Sequence, residues 1–290
     1  MKETIDFLIQ TITREQDSSE IVEAKRDYQK LAGEIYEDDK SYEARMGLFL
    51  EWYIFDRKGP GNGKTPFEML IDQNSDGLLL NKLKNVENFT DNIHSLFVVK
   101  KIRDAEVVAL NLLDDKKYGV KEKEGNFLFH KNDLFEGRII SIDGEYYFSG
   151  NFCFHPKEAE KFVKSEIKKI NSVREGYLKE LKKFNSELKN LNSTLDKNAR
   201  EIEKMDSKIQ KTNSADKIGS LSEKLEALKK VRAGLTQQVS RMEAEKSILK
   251  TQKIKIEIDE LINHLIQRLG YMNLKWERSR QIDLHDIYRN

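Results

Sequence analysis

Cys153 and His155 are the only two residues here that stand near one another as metal-ligand types. A thiol and an imidazole can both bind zinc, but zinc takes three or four ligands, and two at i, i+2 do not make a site. His94, His130, His264 and His285 have no His or Cys at ligand spacing. The stretch Gly59-Pro60-Gly61-Asn62-Gly63-Lys64-Thr65 invites a phosphate-binding-loop reading. That motif needs glycine five residues before the Gly of Gly-Lys-Thr, where this chain has Lys58, and it follows a strand rather than a helix. The carboxylate pairs Asp38-Asp39 and Asp114-Asp115 fall in turn-like text, where acids are ordinary. No catalytic, cofactor-binding or metal-binding residue is therefore expected. The chain does not read as an enzyme, and no cofactor is implied.

The largest patterned stretch is residues 156–270. His155-Pro156 precedes Lys157-Glu158-Ala159-Glu160, a helix-start spelling. Apolar residues then recur in steps of four and three through Ile170, Tyr177, Leu181, Phe184, Leu188, Leu191, Leu195, Ile202, Met205 and Ile209, with Asn198 as a polar member. This is a heptad seam. A second seam runs Leu221, Leu225, Leu228, Arg232, Leu235, Val239, Met242, Lys246, Leu249, Lys253 and Ile256. The two are out of phase, and the break near 212–220 holds Thr212-Asn213-Ser214-Ala215-Asp216 and Gly219. Ser220 and Glu223 have capping-box spacing, which predicts the second helix start. A fold-back centred on Ala215 pairs Ile209 with Leu221, Ile202 with Leu228, Leu195 with Leu235 and Leu181 with Leu249. It also sets Asn198 against Arg232 as a polar register layer. Arms of about 50 residues would each be roughly 75 Å long. The competing arrangement is one continuous rod pairing between chains. Beyond Leu249, Ile254, Ile258, Leu261 and Leu265 indicate a phase shift near Lys250–Lys253.

Ahead of the arm, residues 1–94 read as a helical layer. Ile5, Leu8, Ile9 and Ile12 mark one helix, and Tyr28, Leu31 and Ile35 a second behind Asp17 and Glu20. The run Gly47–Phe55 is apolar on nearly all sides and should be central to the core. Thr65-Pro66-Phe67-Glu68 spells a capping box with proline at the first helical position. Leu78-Leu79-Leu80 and Leu83 extend the layer. Residues 95–155 change to strand text: Leu96–Val99, Val107–Leu112, Lys117–Val120, Asn126–Phe129, Arg138–Ile142 and Glu145–Ser149. Asp143-Gly144 is a two-residue hairpin signal. The expected fold is α+β: a helical N-terminal layer plus a small antiparallel β-barrel or curled sheet, followed by a long antiparallel coiled-coil hairpin. The tail, 271–290, carries Trp276, Ile282, Leu284, Ile287 and Tyr288, which suit packing on the globular part.

The 290 residues are 35% charged and 38% hydrophobic, as a long, narrowly buried arm requires. The net charge of +1 hides an asymmetry: residues 1–155 carry 21 basic and 29 acidic side chains, and residues 156–290 carry 30 and 21. A single cysteine excludes an internal disulfide. The opening Met1-Lys2-Glu3-Thr4 leads into no apolar signal-type run, and no stretch approaches 18 apolar residues. A cytoplasmic soluble protein is expected. Phe49–Asp56, Gly63-Lys64-Thr65-Pro66 and Ser95–Val99 together resemble an uncharacterised bacterial protein family over about Gly47–Ser149. That resemblance implies a bacterial source and brings no activity or binding residue. The expected function is a scaffold or adaptor that binds a protein partner through the arm, a second copy of the chain being one candidate. The alternative is nucleic-acid binding by the barrel aromatics Phe127, Phe129, Tyr146, Tyr147 and Phe148 with the basic arm. Against it, residues 95–155 hold 9 basic and 10 acidic side chains, so no basic groove is spelled there.

Overall fold

A computed structural model describes residues 1–59, 63–73, 86–122, 125–279 and 281–289. Pro60–Asn62, Leu78–Leu80, Leu83 and Glu124, for which the sequence carries expectations, lie outside these. Two compact units form. One comprises Met1–Lys169 with Ile262–Asn290, and the other Ile170–Leu261. The boundaries lie inside the stretch read as the arm, because Val163 and Ile167 at its start and Leu265, Ile266 and Leu269 near its end are buried with the globular residues.

In the first unit, α1 (Lys2–Glu15), α2 (Ser18–Ala32), α3 (Tyr42–Phe55) and α4 (Pro66–Gln73) share one apolar core. Ile5, Leu8 and Ile12 of α1 meet Tyr28 of α2 and Phe49, Tyr53 and Ile54 of α3 there. The start of α4 has the expected reciprocal cap: Thr65 N donates to Glu68 Oε2 at 2.8 Å, and Glu68 N to Thr65 Oγ1 at 3.2 Å. Thr65→Ala removes one of these bonds and is expected to cost about 1 kcal/mol. The measurement is the urea midpoint followed by tryptophan fluorescence, since both Trp52 and Trp276 lie in this unit.

The sheet has six strands: β1 (Asn92–Arg103), β2 (Glu106–Asn111), β3 (Lys117–Lys121), β4 (Leu134–Ile142), β5 (Glu145–Phe148) and β6 (Cys153–His155). Their order is β1-β2-β3-β5-β4-β6, and β1 pairs with β4 as well. All ladders are antiparallel except β3–β5. Asp143 and Gly144 both have positive φ, 51° and 81°, which joins β4 to β5 by a tight turn of the expected kind. One expected strand is absent: Gly125–Leu128 is a short helix, α5, with Phe127 86% exposed. Both edges of β3 are already taken, by β2 and β5, so no edge remains for Asn126–Phe129 to pair with it. Only Phe129 of that stretch reaches the interior, where it joins Phe97, Phe135 and Phe148.

The helix α6 runs Glu160–Gln210, entered through a single 3-10 turn at Lys157–Ala159. Its partner α7 spans Ala215–Ile248, beginning before the expected Ser220. Ala215 is a strong helix former and Asp216 places an acid in the first turn, so the helix starts ahead of the capping-box spelling. A π-helical segment, Leu249–Glu257, follows, and then α8 (Ile258–Arg278). The π segment lies where the seam steps by five, from Leu249 to Ile254, which is the period of an i→i+5 helix. A short α9 (Leu284–Ile287) places Ile287 and Tyr288 in the first unit's interior. Among the described residues, no helix is long and apolar enough to cross a membrane.

Candidate functional site

Strand β4 is buried on both faces over Leu134–Ile140. Alternation sends Phe135 and Ile139 into the aromatic interior, and Glu136, Arg138 and Ile140 toward the helices. The helix-facing side is polar. Arg138 is fully buried, with its guanidinium 3.3 Å from Glu51 Oε2 of α3 and paired with Asp56 just past that helix. It also donates to Asn92 Oδ1 and lies 4.9 Å above the Phe55 ring. His94, opposite Arg138 on β1, is 3.2 Å from Asp56 through Nδ1 and 3.1 Å from Glu136 through Nε2. Asn151 donates to the second oxygen of Glu51 at 2.8 Å.

Burial works against the ionised form of every group here, and the partners decide the outcome. For His94, burial and the Arg138 cation both favour the neutral ring. Hydrogen bonds to Asp56 and Glu136 outweigh them and push it up to about 9. Burial would raise Asp56, yet Arg138 and His94 together hold it down to about 2. Glu51 stays raised, because burial exceeds the pull of Arg138 and Asn151. This is a closed network of paired charges, each facing another protein group.

Packing here is tight. A methyl group added to Gly47, on α3, would collide with the Asn151 amide that holds Glu51. Gly→Ala inside a helix ordinarily gains about 1 kcal/mol. Here overpacking, at about 1–3 kcal/mol, should reverse the sign. Gly47→Ala is expected to lower the urea midpoint; a raised midpoint would show that Asn151 can move aside freely.

Next to this network, β6 runs antiparallel to β4, with Cys153 opposite Glu136 and His155 opposite Leu134. The thiol of Cys153, a carboxylate oxygen of Glu136 and a ring nitrogen of His155 all lie within 4.8 Å of one another, and all three residues are buried. His155 Nδ1 is 3.2 Å from the Tyr288 hydroxyl, whereas its Nε2 is buried without a partner. Burial, helped by the Arg45 cation, takes His155 down to about 3, and burial pushes the Cys153 thiol well up. A cavity of about 10 Å³ adjoins the group, lined in part by Tyr28, Arg45, Glu136 and Cys153. Sequence reading sets Cys153 and His155 aside as too few ligands for a site and does not single out Glu136. Its only local signal was an acid inside the apolar run Leu134–Ile140, and its partner became visible only through strand register.

The other acids of note behave as turn residues: Asp39 pairs with Arg278, and Asp114 takes bonds from Lys116 N and Tyr118 OH.

In the helical unit, the seam positions are the covered ones. Leu188, Asn198, Ile202, Leu225 and Leu249 are buried. Leu181, Leu191, Leu195, Met205, Ile209, Leu221, Leu228, Leu235, Val239 and Met242 are half-buried, while most positions between them are exposed. Asn198 does not face Arg232. Its Nδ2 donates to the Leu228 carbonyl at 3.3 Å, and Arg232 is exposed. A long guanidinium stem reaches water from a seam edge more readily than it is buried, which leaves the short amide to find backbone instead. Farther along, Tyr177 OH donates to Glu257 at 2.5 Å.

No curated protein and no solved structure is significantly similar to this chain. One family model matches residues 1–217, a wider stretch than Gly47–Ser149, taking in the whole sheet and α6. The chain belongs to that family, described as a family of unknown function (DUF7986).

Proposed function

We propose that this chain is a non-catalytic interaction protein whose helical unit is an antiparallel coiled-coil hairpin that holds a protein partner. The observation that carries the reading is the one-sided burial of α6 and α7. Two long helices cover one narrow seam and leave the rest of their surface to solvent. Two contacts support the fold-back: Asn198 with Leu228, and Tyr177 with Glu257. In the same reading, the cycle of ladders β1–β2–β3–β5–β4 is a small closed barrel.

Met205, Ala227, Leu228 and Val231 line a groove of about 440 Å³ near the tip, rimmed by Lys204, Lys208 and Lys224 with one acid, Glu201. Val231 is 53% exposed there. An apolar floor with a basic rim fits an amphipathic helix carrying acidic residues. Nucleic acid is the weaker reading, because Phe129 and Phe148 lie in the core rather than on a stacking surface.

The test is a mild-crosslinking pull-down of the tagged full chain, nuclease-treated and untreated, beside Val231→Glu. Glutamate is a good helix former, so this change alters the groove and spares the helix. A discrete protein set that survives nuclease and is lost with Val231→Glu is expected. Loss on nuclease treatment would move the assignment to nucleic acid, and retention by Val231→Glu would sink the groove. Separately, cysteines at Leu195 and Leu235 should crosslink within one chain, the native Cys153 being buried. Crosslinks formed only between chains would overturn the hairpin.

A further inference from the structure

We infer that Glu136, Cys153 and His155 form a site for a single zinc ion that fastens β6 and the C-terminal Tyr288 to β4. All three donors are zinc ligand types, and an oxygen, a sulfur and a nitrogen within 4.8 Å need move only by roughly 1 Å to close on bond lengths of about 2.0–2.3 Å. The register of the β4–β6 ladder puts them on one face: Cys153 and His155 alternate along β6, and Glu136 is the direct cross-strand partner of Cys153.

The independent observation is His155 itself. The residue is 6% exposed, and its Nε2 has no partner. Buried polar atoms are nearly always satisfied, so an orphan nitrogen on the histidine that shares this site with a thiol and a carboxylate points to a ligand. Its other nitrogen meets Tyr288 OH, which fixes the ring as a hydrogen bond to the free ring nitrogen fixes metal-bound histidines. Glu136 is oriented in the same way by His94. The adjoining cavity, about 10 Å³, is at the threshold for one water, which would complete a tetrahedron.

Arg45 also lines that cavity, but its guanidinium is held by Gly270 O, Asn273 Oδ1 and Ser41 Oγ. Zinc replaces the thiol proton, which leaves to the buffer. The ion brings two positive charges as one proton leaves, so the site gains one, which the Glu136 carboxylate already present there offsets. No oxidant or reductant is required. The enclosure suits a structural ion.

The experiment uses the full chain, stripped with chelator and titrated with Zn²⁺ by calorimetry, then with Co²⁺ by absorbance. One ion per chain is expected. Co²⁺ should show a thiolate charge-transfer band in the near ultraviolet and d–d bands in the visible. Cys153→Ser, nearly the same size, should abolish the charge-transfer band. Tyr288→Phe should weaken binding about 10–100-fold. Zn²⁺ should raise the melting temperature of the stripped wild type and leave that of Cys153→Ser unchanged. A stripped wild type that binds no zinc, or a Cys153→Ser chain that binds with the same stoichiometry and spectrum, would overturn the assignment. Circular dichroism of each variant confirms that it is folded when the metal is added.

Discussion

Arg138→Met is expected to destabilise the globular unit by about 3–5 kcal/mol, the usual penalty for removing one member of a buried ion pair. The guanidinium is fully buried and pairs with Glu51, 1% exposed, and with Asp56. Methionine fills much of the volume and retains contact with Phe55, so lost packing is a small part of the effect. The large part is the charge left behind. With m of about 2 kcal/mol per molar urea, the tryptophan-monitored midpoint should fall by roughly 2 M.

Adding Glu51→Gln and Asp56→Asn to Arg138→Met should recover part of the loss, because neutral amides remove the uncompensated charge. The deficit of the single variant should also narrow as pH falls and the stranded carboxylates take up protons. In the wild type, Asp56 acts with the opposite sign. Its folded value of about 2 lies below the ordinary 3.8, so its contribution is complete above about pH 4 and is lost as pH falls toward 2. Glu51, raised by burial, works against it: its unfavourable term fades on acidification. A shift of less than about 0.5 M for Arg138→Met would mean that water reaches Glu51 and Asp56 in the variant.

Phe135→Ala should cost about 3–5 kcal/mol by a different mechanism, the cavity left in an apolar core. Phe135 is fully buried at the hub of an aromatic cluster. Its ring centroid is 5.0 Å from Phe129, 5.5 Å from Phe97, 5.7 Å from Phe148 and 5.8 Å from Phe152. Phe97 and Phe148 are held by strand ladders, so the cluster can collapse into the space only in part. Phe127→Ala is the internal control. Phe127 is 86% exposed, and its change should stay within about 0.5 kcal/mol. Equal losses at the two positions would contradict the burial of the cluster.

Phe127 and Phe129 also show where sequence reading stops. Asn126-Phe127-Leu128-Phe129 is a short apolar, aromatic run like that of a buried strand, and local pattern cannot tell that both edges of β3 are occupied. Much of the local signal was legible, although the Ser220–Glu223 capping spelling lies inside α7 rather than at its start. The Thr65–Glu68 cap, the Asp143-Gly144 turn and the heptad positions from Leu181 to Leu249 each depend on residues a few places apart. Even the phase shift near Lys250–Lys253 could be read, because the π segment Leu249–Glu257 changes the period along one helix there.

Long-range partnership was not legible. Glu51 and Glu136 stand inside apolar runs, but nothing near them or near Arg138 in the chain says which partners their charges will meet. Arg138 and Glu51 are 87 positions apart, brought together when α3 packs on β4. Glu136 joins Cys153 and His155 only through the register of one short ladder. The sequence by itself determined the periods, the Thr65–Glu68 cap and the tight turn, because consecutive residues carry those instructions in their own backbone preferences. The tertiary structure decided which charges would be enclosed and with whom, because a buried charge is tolerable only once distant segments deliver its partner.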